Sequence, residues 1–314
     1  MNLQTKIQLK KQSKNLIDYN SNVLLLGSCF SDNIGKKLDY FKFQNLQNPF
    51  GILFHPKAIE TLIENAVNQK DYSEKDVFFN NEQWHCYDAH SKLSNTSKED
   101  LLNDLNSLIK LTYNQIHGSS HIIITMGTAW VYRFLENNTV VVNCHKVPQK
   151  QFNKELLSIY DITNCLKNIL RLIRSLNIEA SVIFTVSPVR HLKDGFIENA
   201  QSKAHLLAAI HQVAEKQSFY FPSFEIMMDE LRDYRFYETD MIHPNQTAIA
   251  YIWERFKEVW ASNKGIKTMD DIDSIQKGLL HKPFNPDSAS HQKFLKKLEL
   301  KKEKLKAKHP FIVF

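Results

Sequence analysis

The sequence predicts an α/β domain built on a mostly parallel sheet with helices on both faces. Three observations predict it. Short apolar, β-branched runs recur along the chain, longer stretches of helical period separate them, and two of the runs stop abruptly at Gly27 and Gly127. Strands that alternate with helices need crossover connections, which gives parallel pairing and a three-layer arrangement. In such a sheet ligands sit at the carboxyl ends of the strands, the rim that both glycines mark. At 314 residues and 43% apolar content, the chain is long enough for a large core and too apolar to be disordered.

Five strands are expected, over residues 22–26, 42–46, 121–126, 180–186 and 218–221, with 42–46 the weakest signal. Helices are expected over 31–40, 56–68, 98–117, 159–176, 198–217 and 245–262. Two irregular pieces decorate this core. The stretch 71–97 is rich in aromatic and polar residues, including Trp84, His85, Tyr87, His90 and Ser91, and reads as an insertion or lid. Residues 130–145 read as a hairpin, with Asn137-Asn138 in a type I′ turn. Beyond Lys264 the pattern changes: Pro283 and Pro286 break the chain, and 288–308 reads as one Lys-rich helix with a Phe294, Leu295, Leu298, Leu305 stripe. The division expected is a catalytic-type domain over 1–264 and a helical extension over 265–314.

Composition excludes several classes of function. The formal charge of +6 is matched by the segment 291–309 alone, which carries eight Lys against two Glu, so the body is near neutral and a nucleic-acid groove is unsupported. No window reaches the roughly 20 apolar residues of a membrane span, and the start of the chain lacks the apolar run of a signal peptide, so a cytoplasmic protein is expected. Cys29, Cys86, Cys144 and Cys165 lie far apart, with neither the pairing of a zinc site nor a disulfide framework. No metal or organic cofactor is called for, and the oligomeric state is left open.

The chemistry concentrates in two segments. Leu24-Leu25-Leu26-Gly27-Ser28-Cys29-Phe30-Ser31 runs from a strand into a small-residue turn that carries two possible nucleophiles, Ser28 and Cys29, and then into a helix. Asp240-Met241-Ile242-His243-Pro244-Asn245 supplies a carboxylate and an imidazole three residues apart, the spacing at which an Asp can orient a His. Pro244 is expected in the first turn of the following helix. Thirteen histidines are present, and His243 stands out through these neighbours.

Gly27-Ser28-Cys29-Phe30-Ser31 resembles the signature of the GSCFA family, which is related to the SGNH (GDSL-type) hydrolases. Asn48-Pro49-Phe50-Gly51, Met126-Gly127-Thr128-Ala129-Trp130 and Asp240-x-x-His243-Pro244 resemble, in order, the further blocks of that superfamily; 187–195 and Ser202-Lys203-Ala204 also look like family sequence. The resemblance implies an SGNH-hydrolase-like fold and a Cys-His-Asp arrangement, with Cys29 in the serine position, acting on an ester, thioester or acylated carbohydrate. A helix amino terminus and a nearby imidazolium would then lower the thiol from its ordinary value of about 8.5. Backbone amides of Cys29 and Gly51 are the oxyanion donors it implies. Ala129 occupies the place of a side-chain amide donor, leaving Thr128 or Trp130 to substitute, and loss of one such donor costs roughly 100- to 1,000-fold in rate. Trp130, His90 and His191 are candidate substrate contacts. Asp194, Asn199 and Lys203 either line a pocket or are solvated charges. Acyl transfer on the same fold and a non-catalytic binding role are the alternatives.

Overall fold

A computed structural model describes residues 5–214 and 217–314. Strand β1 (Asn22–Gly27) leads into α1 (Cys29–Tyr40), then β2 (Gln44–Gln47) and α2 (Pro56–Val67). A hairpin of β3 (Val77–Asn80) and β4 (Gln83–Cys86) precedes α3 (Lys98–Gly118) and β5 (His121–Met126). Next come β6 (Trp130–Phe134), β7 (Thr139–Val141), β8 (Phe152–Leu156), α4 (Ile159–Leu176), β9 (Ser181–Val186), α5 (Phe196–Val213) and β10 (Ser218–Tyr220). The chain closes with a single turn, α6 (Ser223–Glu225), which widens into a π-turn, and with α7 (Gln246–Trp260), α8 (Asn263–Leu279) and α9 (Ala289–Lys308).

Five strands form one parallel sheet in the order β10-β9-β5-β1-β2. Side chains alternate across a strand, so each central strand feeds two cores. Leu24, Leu26, Ile122, Ile124, Val182 and Phe184 face the layer of α2 to α5. Val23, Leu25, Ile123 and Ile183 face α1, α7, α8 and α9. Burial on both faces is why these strands read as unbroken apolar runs. The edge strand β2 is polar and partly exposed, which explains its faint signal. After β1 the chain moves to one side, to β2, and later returns to the other, at β5. The carboxyl ends of β1 and β5 therefore form a topological switch point.

Several expectations are corrected. The helix expected from Ser31 starts at Cys29, with Ser28 as its cap. Asn245, not Pro244, caps α7; its side chain accepts from Thr247 and Ala248 N–H at 3.1 Å each, and Pro244 lies before the helix. The hairpin at 130–145 joins β6 to β7 through residues 135–138, with Phe134 opposite Thr139 and only Asn138 of the Asn pair at positive φ, so the turn is longer than a two-residue type I′. β8 adds a third strand to it. The expected helix over 198–217 ends at Val213; residues 215–216 lie outside the described residues. Helix α8 crosses the expected boundary at 264/265. Leu298, Leu305 and Ile312 join the core of this same chain, so the Lys-rich helix is docked on the body. Among the described residues no helix is long and apolar enough to cross a membrane.

Candidate active site

The elbow after β1 is shaped by close approach. Gly27 has φ of +126°, and a Cβ there would fall 2.1 Å from the Thr125 carbonyl oxygen of β5, so only glycine fits. Ser28 donates its N–H to Thr125 O (3.0 Å) and caps α1, its hydroxyl accepting from Phe30 N–H (3.4 Å). The Ser28 side chain is fully buried and turned into the helix cap. Cys29 is the first residue of α1 and half-buried, with its own amide and that of Phe30 close by. Burial pushes this thiol up, and the Asp32 carboxylate one turn on adds to the rise; Lys203 and the two amides oppose it without reversing it. The expected depression of the thiol is thus not found, because desolvation and Asp32 outweigh the helix terminus.

Asn48 locks the elbow. Its backbone N–H donates to Leu25 O (2.9 Å), its side-chain oxygen accepts from Gly27 N–H (2.8 Å), and its side-chain nitrogen donates to Asp32 (2.6 Å). The residue adopts φ of +39°, a conformation that Asn tolerates better than most side chains. The Gly51 amide is engaged, since it donates to Asn48 O at 2.8 Å to close a turn. This corrects its reading as a free oxyanion donor. Gly51 is required here for a different reason: at φ of +76°, a Cβ would meet the His90 Cβ at 2.5 Å. His90, within the inserted segment, donates its N–H to Phe50 O (3.0 Å), and its Nδ1 accepts from Lys92 N–H (3.2 Å). Asp32, Lys36, Gln47, Asn48, Gly51 and His90 line a cleft of about 440 Å³ beside the elbow.

The second segment is a compact loop. Asp240 accepts at one oxygen from the amides of Ile242 (2.8 Å) and His243 (3.0 Å), and at the other from His243 Nδ1 (2.7 Å). These bonds, led by the His243 amide and ring, hold the Asp240 carboxyl down at about 2. An ionised Asp240 can only accept, so Nδ1 donates, and in the neutral imidazole Nε2 then carries the lone pair that a general base requires. Both side chains are close to half exposed. Met241 at φ of +58° makes the tight turn between them. The loop is joined to the strand ends through Arg190 N–H to Ile242 O (3.3 Å). The neighbouring His191 donates its N–H to Asn199 (2.9 Å), and its Nε2 is buried without a hydrogen-bond partner, against Gly127. Burial first, then Lys203 and His243, push His191 down to about 3, so it is neutral. Among the described residues no hydrogen bond joins the Cys29 thiol to His243.

Two further expectations meet occupied groups. The Thr128 hydroxyl is buried between Ser202 Oγ (3.1 Å) and the Trp130 amide (3.1 Å), so it is not a free oxyanion donor. Trp130 donates its indole N–H to Glu198 O (3.2 Å), and Lys154 lies over its ring, so it packs the β6 and α5 junction rather than the cleft. His55 caps α2 and bonds Val141 O, a structural role. Asp194 pairs with Lys154. Among the described residues no group of three His, Cys, Asp or Glu side chains could hold a metal ion.

Three participants escaped the sequence reading or were left undecided by it. Asn48 and Asp32 carried no separate signal. Lys203 is 2% exposed and bonds Gly127 O (2.7 Å) and Ser187 O (2.8 Å), tying the ends of β5 and β9 together. Burial pushes its ammonium down to about 7. Its signal was a lysine in register with the buried face of α5, which continues through Leu206, Ala209, Ile210 and Val213.

Fold and site together define an α/β protein with a thiol at a strand-to-helix elbow and an Asp-oriented His at the same end of the sheet. The chain belongs to the GSCFA family, which it matches over residues 22–256. Residues 272–314 match the GSCFA domain protein, C-terminal domain. Among solved structures, it is similar to the crystal structure of a carbohydrate esterase family 3 from Talaromyces cellulolyticus, at 9% identity and a TM-score of 0.35, covering 81% of this chain and 99% of that one. No curated protein matches the chain.

Proposed function

We propose that this protein is an acyl-ester hydrolase that works through a covalent thioester on Cys29. The observation that carries the reading is the 2.7 Å bond from His243 Nδ1 to Asp240, which prepares Nε2 as a base in a loop tied to the strand-end segment 190–191. The Cys29 sulfur attacks the acyl carbon as its proton passes to His243 Nε2, and the Cys29 amide donates to the developing oxyanion. Collapse breaks the bond to the leaving oxygen, which takes the proton back from His243. Water, deprotonated by the same His, then attacks the thioester carbon; the C–S bond breaks, the acid is released and the sulfur takes the proton back from His243. Closing the gap between thiol and imidazole is assigned to substrate binding, since catalytic hydrogen bonds often tighten only in the complex with substrate.

The 440 Å³ cleft sets Asp32, Gln47, Asn48 and His90 beside Pro49, Ile52 and Leu93, a mixed lining that suits a leaving group with both hydroxyls and apolar faces, such as a sugar. A binding role without turnover is the second reading, favoured by the engaged Gly51 amide and Thr128 hydroxyl and by the raised thiol. Rapid mixing with p-nitrophenyl acetate followed by peptide mass spectrometry separates them. Acetyl label on Cys29 that disappears in His243→Ala is expected; label on Ser28, or none that depends on His243, overturns the hydrolase reading.

A further inference from the structure

A second cleft, of about 240 Å³, is walled by the two segments that hold the loop carrying Asp240 and His243. One wall is Arg190, which donates its N–H to Ile242 O (3.3 Å). The other is Tyr237, which pairs with Pro244 and is followed by Glu238, whose N–H donates to His243 O (2.8 Å). Met227, Met228 and Leu231 come from the π-turn and its end, where Leu231 N–H reaches back to Ile226 O (3.1 Å). Such wide turns are frequent at functional sites. The half-buried Arg190 guanidinium has weak partners here: Nη2 donates to Met228 Sδ (3.4 Å), and Cζ lies 5.9 Å from the Tyr237 ring centre. Among the described residues neither Arg190 nor Arg232, the second guanidinium of the lining, has an ion-pair partner. Asp233, the one carboxylate of the lining, is engaged at both oxygens by Arg235, through its N–H (2.9 Å) and its guanidinium (3.1 Å).

We propose that this cleft is a subsite for an oxyanion, a carboxylate or a phosphate, carried on an apolar body. Arg190 offers a planar fork of donors that matches either group, and its present partners, a sulfur and a ring, are readily exchanged for a charged acceptor. The exposed Arg232 adds a second positive charge at the rim, while Met227, Met228, Leu231, Tyr234 and Tyr237 supply apolar and aromatic surface. The volume is below the roughly 300 Å³ at which complete small-molecule sites begin, so the cleft takes one end of a larger ligand. A role in turnover rests on the acyl-ester reading: the anionic end of the ester lies here and its reacting carbon at Cys29 and His243. Anion binding itself needs neither Cys29 nor turnover, so the two readings fail separately.

Calorimetric titration with benzoate, phenyl phosphate and the neutral benzyl alcohol tests the site. At least one anion should bind saturably, about tenfold or more tightly than benzyl alcohol, and Arg190→Met should weaken it about tenfold. The tighter anion identifies the group. No saturable binding of either anion, equal binding of benzyl alcohol, or unchanged anion binding in an Arg190→Met protein with native circular dichroism overturns the proposal. Should Arg190→Met not fold, the exposed Arg232→Met decides: it should weaken the anion about threefold or more, and unchanged binding overturns the site. The role in turnover is read from Cys29 acetylation by p-acetoxybenzoate and by its methyl ester, which differ in one charge. Arg190→Met, or Arg232→Met in its place, should slow the acid several-fold more than the ester. Equal slowing of both overturns the substrate role. No acetylation by either overturns the hydrolase reading, and the titration still decides the subsite.

Discussion

Replacing Asn48 by Ala should loosen the elbow by a predictable amount. Its side-chain oxygen is the acceptor for the buried Gly27 N–H at 2.8 Å, and its backbone sits at φ of +39°. A buried donor left without its acceptor costs about 1–3 kcal/mol. Holding Ala in the left-handed region adds about 1 kcal/mol over Asn. Together these predict a loss of about 2–4 kcal/mol. Asn48→Gly separates the two effects, because it removes the hydrogen bond but accepts positive φ, and should lose only about 1–3 kcal/mol. Equilibrium urea unfolding followed by circular dichroism measures both, and hydrogen exchange at the Gly27 amide should accelerate in each variant. If Asn48→Ala is within about 0.5 kcal/mol of native, the scale of an ordinary surface change, the clamp does not hold the elbow and the reasoning fails.

Other perturbations have equally direct outcomes. His243→Ala should abolish turnover of p-nitrophenyl acetate while leaving the thermal midpoint almost unchanged, since the side chain is nearly half exposed; a large fall in the midpoint would make His243 structural. Asp240 is held down from 3.8 to about 2, so its charge-dependent contacts contribute fully above its ordinary value and are lost as pH falls through about 2. A ¹³C carboxyl titration should find that low midpoint in the native protein and a higher one in His243→Ala; a midpoint at the ordinary value in the native protein would refute the loop geometry. Gly27→Ala should unfold or misassemble the β1 and β5 pair, because the added methyl meets Thr125 O at 2.1 Å, and a native-like melt would contradict that contact. Leu298→Ala should cost about 2–5 kcal/mol if α9 is part of the main core, measurable as a single shifted unfolding transition rather than the release of a separate tail.

The strands and most helices were legible because their signals are local. A strand buried on both faces must be apolar throughout, and α4 declares itself through Ser158 and Asp161 in a capping box followed by a stripe from Ile162 to Ile173. Helix α8 was missed because its buried face, Thr268, Met269, Ile272 and Ile275, is narrow and set among Lys264, Lys267, Asp270 and Asp271. Strand β8, Phe-Asn-Lys-Glu-Leu, is polar because it lies at an edge of its small sheet.

By itself the sequence determined the sheet's apolar strands, the elbow glycine and the Asp240 and His243 pair, since each depends on neighbours a few residues away. Only the tertiary structure decided that Gly51 N–H is taken by the turn at Asn48, that the Asn48 side chain reaches Gly27 and Asp32, that Ser28 is spent in a cap, and that Lys203 lies fully buried under β5 and β9. The physical reason is the same in each case. Whether a polar group is free or engaged depends on how much water is excluded and which carbonyls or carboxylates arrive from distant segments. Those contacts exist only once the layers have packed.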